Sequence, residues 1–254
     1  MKRTIEPAGQ DDVPALRLLW QEAFGDTDDF LDDFFRTAFS PRRNRCIRED
    51  NFPLAQLFWL DLCCRDRKMA YLYAIATRTT HRKQGLCRLL VEDTCLELSR
   101  QGYAGAVLIP AEEPLARMYE TMGFSFCSGI GEFSAEAGDH GVPAKELEPS
   151  EYVRRAGLLL PPGSAEPDPE YLPFLLAQAR LYGGENWVMA ARQEEDHLEC
   201  LQLLGDTQLA PGILRTLEVK SGSFRCPGND RPFAMYRSLD GVTPPPAYFA
   251  MAFD

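Results

Sequence analysis

The feature that most limits the fold is the stretch from residue 68 to residue 111. Two apolar segments, KMAYLYAIAT (68–77) and YAGAVLIPA (103–111), flank a leucine-rich segment long enough for a helix at about 84–100. A strand, a helix and a second strand of one sheet form a crossover, which makes the two strands parallel and the connection right-handed. The segment just before, FPLAQLFWLDLCC (52–64), is separated from 68–77 only by Arg65, Asp66 and Arg67. So short a charged turn demands an antiparallel hairpin. A sheet with both kinds of neighbour excludes all-helical folds and pure β-sandwiches. The 68–77 strand is apolar on both faces, so it belongs in the middle of the sheet.

The flanking segments fill in the rest of the order. Residues 3–7 read as a first strand. Asp11, Asp12 and Pro14 open a helix whose apolar face is Leu16, Leu19, Trp20 and Phe24, with Gly25 ending it. A second helix runs from about Asp28 to Phe39. Phe30, Phe34 and Phe35 point inward, and Asp28, Asp29, Asp32 and Asp33 crowd its start, where acids suit the helix dipole. EEPLARMYETMGF (112–124) reads as a helix stopped by Gly123, and SFCSGIGEFSA returns to strand.

From 134 to 170 the chain turns rich in Gly, Pro and acids, around a short helix at 149–159. Beyond it lie a helix at about 169–182, strands NWVMAARQ and HLECLQLL around Glu194, Glu195 and Asp196, and a helix near 211–219. Strands SFRC, FAMYRSL and AYFAMAF complete the chain. This half echoes the hairpin–helix–strand order of the first, without a clear residue-level repeat. The expected division is a first domain over 1–133, a linker over 134–148 and an acidic α+β module over 149–254.

Charge and cysteine usage narrow the function. A formal net charge of −11 disfavours nucleic acid as a general partner and suits a cationic one. The eight cysteines include no Cys-x-x-Cys pair, and there are three histidines, so no metal site is expected. No apolar run is long enough to span a bilayer, and the first residues lack the apolar core of a secretion signal. The reading is a cytoplasmic protein without a membrane partner, its oligomeric state open.

The chemistry concentrates in AIATRTTHRKQGLCRLL (74–90). A helix start presents unpaired N–H groups and partial positive charge, which attract phosphate. Arg82, Lys83, Gln84, Gly85, Leu86 and Cys87 occupy that start; Gly85 permits close approach, and Arg82, Lys83 and Arg88 add charge. An ordinary strand–turn–helix with a basic surface fits the stretch alone equally well. Tyr119 lies on the next helix, followed shortly by Gly123 and Phe124.

Taken together, these two segments resemble the GNAT superfamily of acyl-CoA-dependent N-acetyltransferases. Its turn reads Gln/Arg-x-x-Gly-x-Gly/Ala after a strand, and a later helix carries a tyrosine shortly before Gly-Phe. The resemblance covers residues 3 to about 133. The two-module chain looks distantly like the enhanced-intracellular-survival type, although its second half is shorter. The resemblance implies a mixed α/β (α+β) fold, with a mostly antiparallel central sheet flanked by helices and a second module that is a reduced domain of the same kind.

It further implies acetyl-CoA as co-substrate and a primary amine of a small molecule or peptide as acceptor. Ile75, Ala76 and Thr77 correspond to the strand end that pairs with pantetheine and polarises the thioester. Residues 82–87 correspond to the pyrophosphate turn and Tyr119 to the acid that protonates the leaving thiolate. In the survival type a terminal carboxylate enters the site, which singles out Asp254.

Three departures stand out. Cys87 replaces Gly/Ala, Glu112 stands where many members have asparagine, and the strand 68–77 offers no Asp or Glu as base. Tyr71 and Tyr73 are candidates for relaying a proton through water or for plain packing. RCPGNDRPF (225–233) is a turn-rich loop able to line a pocket, and His197 is expected to be solvated. A non-catalytic CoA-binding protein on the same fold is the competing reading.

Overall fold

The structure, a computed structural model, describes residues 3–249. The chain opens with an edge strand, β1 (Arg3–Glu6), and two helices, α1 (Val13–Phe24) and α2 (Asp28–Thr37). Pro14 sits in the first turn of α1, where its missing N–H costs nothing. In α2 the Thr27 hydroxyl accepts the Phe30 N–H, and Leu31 and Phe34 form the buried face.

The central strands follow: β2 (Asn44–Glu49), β3 (Phe52–Cys64) and β4 (Arg67–Thr77). Next come α3 (Leu86–Arg100), β5 (Gly105–Leu108), α4 (Glu113–Glu120) and β6 (Ser125–Glu136). β6 thus runs past residue 133. The next segment holds β7 (Lys145–Glu146), α5 (Pro149–Leu159), β8 (Glu166–Pro167) and α6 (Leu172–Gln178). The chain continues with β9 (Arg180–Gly183), β10 (Trp187–Glu194), β11 (His197–Gly205), α7 (Ala210–Thr216), β12 (Ser221–Pro227) and β13 (Arg231–Ser238).

Three local expectations need correction. The helix expected over 169–182 breaks into a 3-10 turn and a short α6, and residues 180–183 form β9. There, pairing with β10 and the burial of Leu181 and Tyr182 in the sheet override the helical pattern. β2 is not evident in the sequence because Asn44, Arg45 and Arg48 interrupt its apolar residues; the first two and the last are held by hydrogen bonds and ion pairs. The described part of AYFAMAF, residues 247–249, is not a strand. Ala247 donates its N–H to the Gly163 carbonyl and the Tyr248 carbonyl accepts from Ala165, which holds it against the 163–165 loop.

Among the described residues one mixed, mostly antiparallel sheet runs β1-β2-β3-β4-β5-β13-β6-β12-β11-β10-β9-β7, with β8 added beside β3. Its two halves repeat a topology. β3 and β4 form a hairpin, and α3 crosses to β5, parallel to β4. β10 and β11 form a hairpin, and α7 crosses to β12, parallel to β11. The final strand of each half is exchanged: β13 pairs with β5, β6 pairs with β12, and β13 and β6 pair with each other at the centre.

The core follows from this arrangement. On one face α1, α2, α5 and α6 cover a continuous apolar layer drawn from both halves, including Trp20, Phe34, Phe58, Phe174 and Phe233. On the other, α3 and α4 pack on Trp59, Leu72 and Met235, and α7 packs on Trp187, Leu198 and Phe224. Each such large side chain contributes roughly 1.5–3 kcal/mol by burial. β3 and β4 read as near-continuous apolar runs because helices cover both their faces.

Candidate functional site

β4 and β5 touch only briefly. Met69, Ala70 and Tyr71 pair with Gly105, Ala106 and Val107; β5 then ends at Leu108 while β4 continues to Thr77. A bulge helps part them. Tyr73 faces Phe58 and Ala76 faces Gln56, so Ala74 and Ile75 together oppose the single residue Leu57. Ala74 takes up the strain with a left-handed φ of 48°, costly for a residue with a Cβ. Beyond Tyr71 the β5-facing edge of β4 is left open to a ligand.

A cavity of about 1040 Å³ occupies the gap. Tyr71 and Tyr73 line it from one face of the sheet and Leu72 from the other, because successive residues of a strand point to opposite sides. The cavity therefore passes through the sheet. On the α3–α4 side it is bounded by Leu108, Leu115 and Tyr119, with Ile75 at the gap. On the α1–α2 side Trp20, Phe24 and Phe30 give an aromatic wall.

Carboxylates rim that second mouth. Asp26 accepts the Trp20 indole N–H at 2.7 Å, and Asp33 pairs with Arg36 and accepts from Gln178 at 3.0 Å. Asp29 and Glu194 also line the cavity and have no ion pair among the described residues. Two arginines from the second half are there too, each already held by a carboxylate: Arg192 by Glu199 at 3.0 Å and Arg231 by Glu132 at 2.7 Å. Arg231 belongs to the RCPGNDRPF loop that the sequence marks as a pocket former.

The basic turn stands at the end of β4. Thr79–His81 form a 3-10 turn, Arg82 is extended, Lys83 has φ 61° and Gly85 has φ 76° before α3 begins. Glu22 of α1 anchors the approach: its carboxylate accepts the Thr79 N–H at 2.6 Å and an Arg78 N–H at 2.9 Å. These hydrogen bonds, the Thr79 backbone first, hold the Glu22 carboxyl below the ordinary carboxylate range. Arg82 donates to the Thr77 carbonyl at 3.2 Å, tying the turn to the strand end, and Gln84 accepts from Arg3 at 3.0 Å.

No side chain caps α3. At Gly85 the space a side chain would fill is open, with no atom within 4 Å of where a Cβ would sit. The first N–H groups of α3 thus face outward with Lys83 exposed beside them, an arrangement suited to phosphate.

Of the candidate residues, Ile75 and Tyr119 meet at the cavity. Ala76 and Leu86 are buried, and Arg82, Lys83, Gln84 and Gly85 form the outer turn. Cys87 is half-buried and packs against the apolar cluster that contains Tyr119. Burial pushes its thiol up to about 11, and burial chiefly, with Cys87 next, raises Tyr119 above the ordinary phenol value. Both groups are protonated at neutral pH, and the same burial makes the Tyr119 proton harder to release. Tyr71 and Tyr73 pack in the aromatic layer and line the cavity at once. His197 is exposed and contacts Ser221 at 3.0 Å. Asp254 lies outside the described residues.

Reading the sequence missed the aromatic wall and the contributions of Arg192 and Glu194. Arg192 and Glu194 gave a weak signal, since they reach the cavity only through folding of the second half. The second crossover offers no comparable turn. Asp206 caps the corresponding helix start, accepting the Gln208 N–H at 2.9 Å, and so places a carboxylate where the first crossover is basic.

Comparison with known proteins agrees with this geometry. Residues 4–127 match the acetyltransferase (GNAT) domain. No curated protein is similar enough in sequence to count as a match. Among solved structures, a GCN5-related N-acetyltransferase from Anabaena variabilis superposes with TM-score 0.74 at 13% identity, over 94% of this chain and 74% of that one. A GCN5-related N-acetyltransferase from Kribbella flavida gives 0.73 at 14%, over 94% and 72%. Eis1 from Mycobacterium abscessus gives 0.67 at 12%, over 94% and 74%. With the turn, the parted strands and the tyrosine in place, residues 4–127 are identified as a GNAT acetyltransferase domain.

Proposed function

We propose that the protein is an N-acetyltransferase that moves the acetyl group of acetyl-CoA to a primary amine of a cationic small molecule or peptide. The observation that carries this reading is the cavity that crosses the sheet where β4 and β5 part, with Tyr119 on one side and an acidic, aromatic mouth on the other. The helix start at residues 82–87 binds the pyrophosphate. The open edge of β4 at Ile75, Ala76 and Thr77 pairs with the pantetheine arm and supplies an N–H to the developing oxyanion. Tyr119 protonates the departing sulfur.

Asp26, Asp29 and Glu194 draw a positively charged acceptor to the mouth, and Trp20 and Phe30 bind its cation or its apolar body. Asp254 is the proposed base. In support, Phe249 packs on Tyr71 at 4.9 Å, which brings the described chain to the cavity wall. In this reading residues 149–254 are a catalytically silent GNAT-like module, as the acidic cap at Asp206 suggests.

The test is release of free CoA thiol from acetyl-CoA with a panel of monoamines, diamines and lysine peptides. Tyr119→Phe is expected to lower kcat about a hundredfold, in the range of a lost general acid, and to leave the Kd for CoA within about twofold. Tight CoA binding with no turnover on any amine would favour the non-catalytic reading instead.

A further inference from the structure

Gln56 of β3 is 1% exposed, yet neither the oxygen nor the nitrogen of its side-chain amide has a hydrogen-bond partner among the described residues. The same sheet face shows how this interior ordinarily treats an amide. Asn44 of β2 is equally buried and faces Phe58, two residues along β3 from Gln56. Its oxygen accepts the Ala8 N–H at 2.6 Å, and its nitrogen donates to the carbonyls of Ala8 and Ser40 at 3.0 and 2.8 Å. A buried amide without partners is costly, and an apolar side chain of the same shape would avoid the cost.

The side chains beside Gln56 do not answer it. Across the sheet it faces Cys46 on β2 and Ala76 on β4. On its own face, Phe58 packs with Leu16 and Trp20 of α1, and the Trp20 N–H is already given to Asp26. The polar groups nearest in register belong to the backbone of the β4 bulge. Ala74 packs on the same apolar layer as Tyr73, whereas Ile75 packs on the opposite one, so the inserted residue shares the face of Gln56. An inserted residue drops out of the ladder and leaves its own peptide groups short of strand partners. It stands diagonally across from Gln56, a separation that a long side chain spans with one water between. A buried water typically makes about three hydrogen bonds to such groups.

We propose that Gln56 is a positioning residue for the acyl site: through one ordered water its amide holds the backbone of Ala74, and so keeps β4 bulged away from β5 where the thioester binds. Gln56 does not itself line the cavity, and no bond or proton changes hands at it. The inference rests on the proposed reading of the β4 edge at Ile75, Ala76 and Thr77 as the part that polarises the thioester.

The experiment compares the full chain with Gln56→Met, which keeps the length of the side chain and removes its amide; Gln56→Leu repeats the comparison with a second apolar shape. The readouts are Tm, amide hydrogen exchange by NMR, kcat and KM for an accepted amine, the Kd for acetyl-CoA, and a crystal structure of the wild type that resolves bound water. A water within hydrogen-bond distance of both the Gln56 amide and a backbone atom of Ala74 is expected. Q56M should keep or raise Tm, since an apolar group replaces a polar one of the same shape. Exchange at residues 74–76 should nevertheless quicken about fivefold or more, and kcat should fall about fivefold, the effect of a lost hydrogen bond. KM and the Kd for acetyl-CoA should stay within about twofold of wild type.

The proposal is overturned if no such water is found, if exchange at residues 74–76 is unchanged in Q56M and Q56L, or if kcat stays within about twofold of wild type. A fall in Tm with faster exchange across the whole sheet also overturns it, because that marks a packing role. Failure of the proposed reaction is distinguishable. A wild type that turns over no amine removes the acyl role, while the bound water and the exchange at residues 74–76 still decide whether Gln56 holds the bulge.

Discussion

Gly85 offers a way to separate the cost of a backbone conformation from the cost of blocking a ligand. Its φ of 76° lies in the left-handed region, so Gly85→Ala costs about 1 kcal/mol of stability, enough to lower Tm by roughly 2–4 °C in a chain of this size. The added methyl clashes with nothing in the free protein, since no atom lies within 4 Å of its position. The same space is where a pyrophosphate would approach the N–H groups of α3.

Gly102, between α3 and β5, is a matched control. Its φ is 82° and its Cβ position is equally open, but it sits at the opposite end of α3. Both variants should therefore lose a similar amount of stability by thermal melting. Only G85A should weaken acetyl-CoA binding, by about tenfold or more in calorimetry, equivalent to about 1.4 kcal/mol. If the two variants bind acetyl-CoA equally well, residues 82–87 are not the phosphate cradle and the reasoning from the open helix start is wrong.

Glu22 gives a pH prediction. Its folded carboxyl is held below the ordinary value, so the contact to Thr79 is fully present above the unfolded pKa and is lost as pH falls through the lowered folded one. Acetyl-CoA affinity should accordingly be flat from neutral pH down to about 5 as far as this group is concerned. Glu22→Gln should speed hydrogen exchange at the Thr79 amide and weaken acetyl-CoA binding about threefold; an unchanged exchange rate would remove the anchor. For Asp254, a role as base means that deleting the residue lowers kcat about tenfold or more with little change in CoA affinity, and wild-type turnover would end that assignment.

The parts legible in the sequence were those set by local pattern. The β3–β4 hairpin follows from two apolar runs and a charged turn, and the crossover to β5 follows from a helix too long for any other connection. The turn at residues 82–87 and Tyr119 were visible as residue types at a given spacing. The parting of β4 from β5 was not, because it hangs on the left-handed conformation of Ala74, and nothing about an alanine announces a bulge. The end of α6 and the start of β9 were misjudged since pairing with β10 decides between them. The acidic mouth was half visible, as carboxylates at the start of α2, while Glu194 came to it from a distant hairpin.

The place of β13 has a consequence for how the protein is made. β5 pairs with β4 on one edge but finds its neighbour on the other only when residues 231–238 have been synthesised. Until then the nascent first half carries a strand with one open edge in the middle of its future sheet, next to the strand that borders the cavity. Such an edge invites pairing with other chains, so this protein's exposure to aggregation and its need for chaperones should last until residues 231–238 have emerged. Contacts of such long sequence separation also make for slow closure. The sheet beside the cavity is therefore complete only once β13 has joined β5.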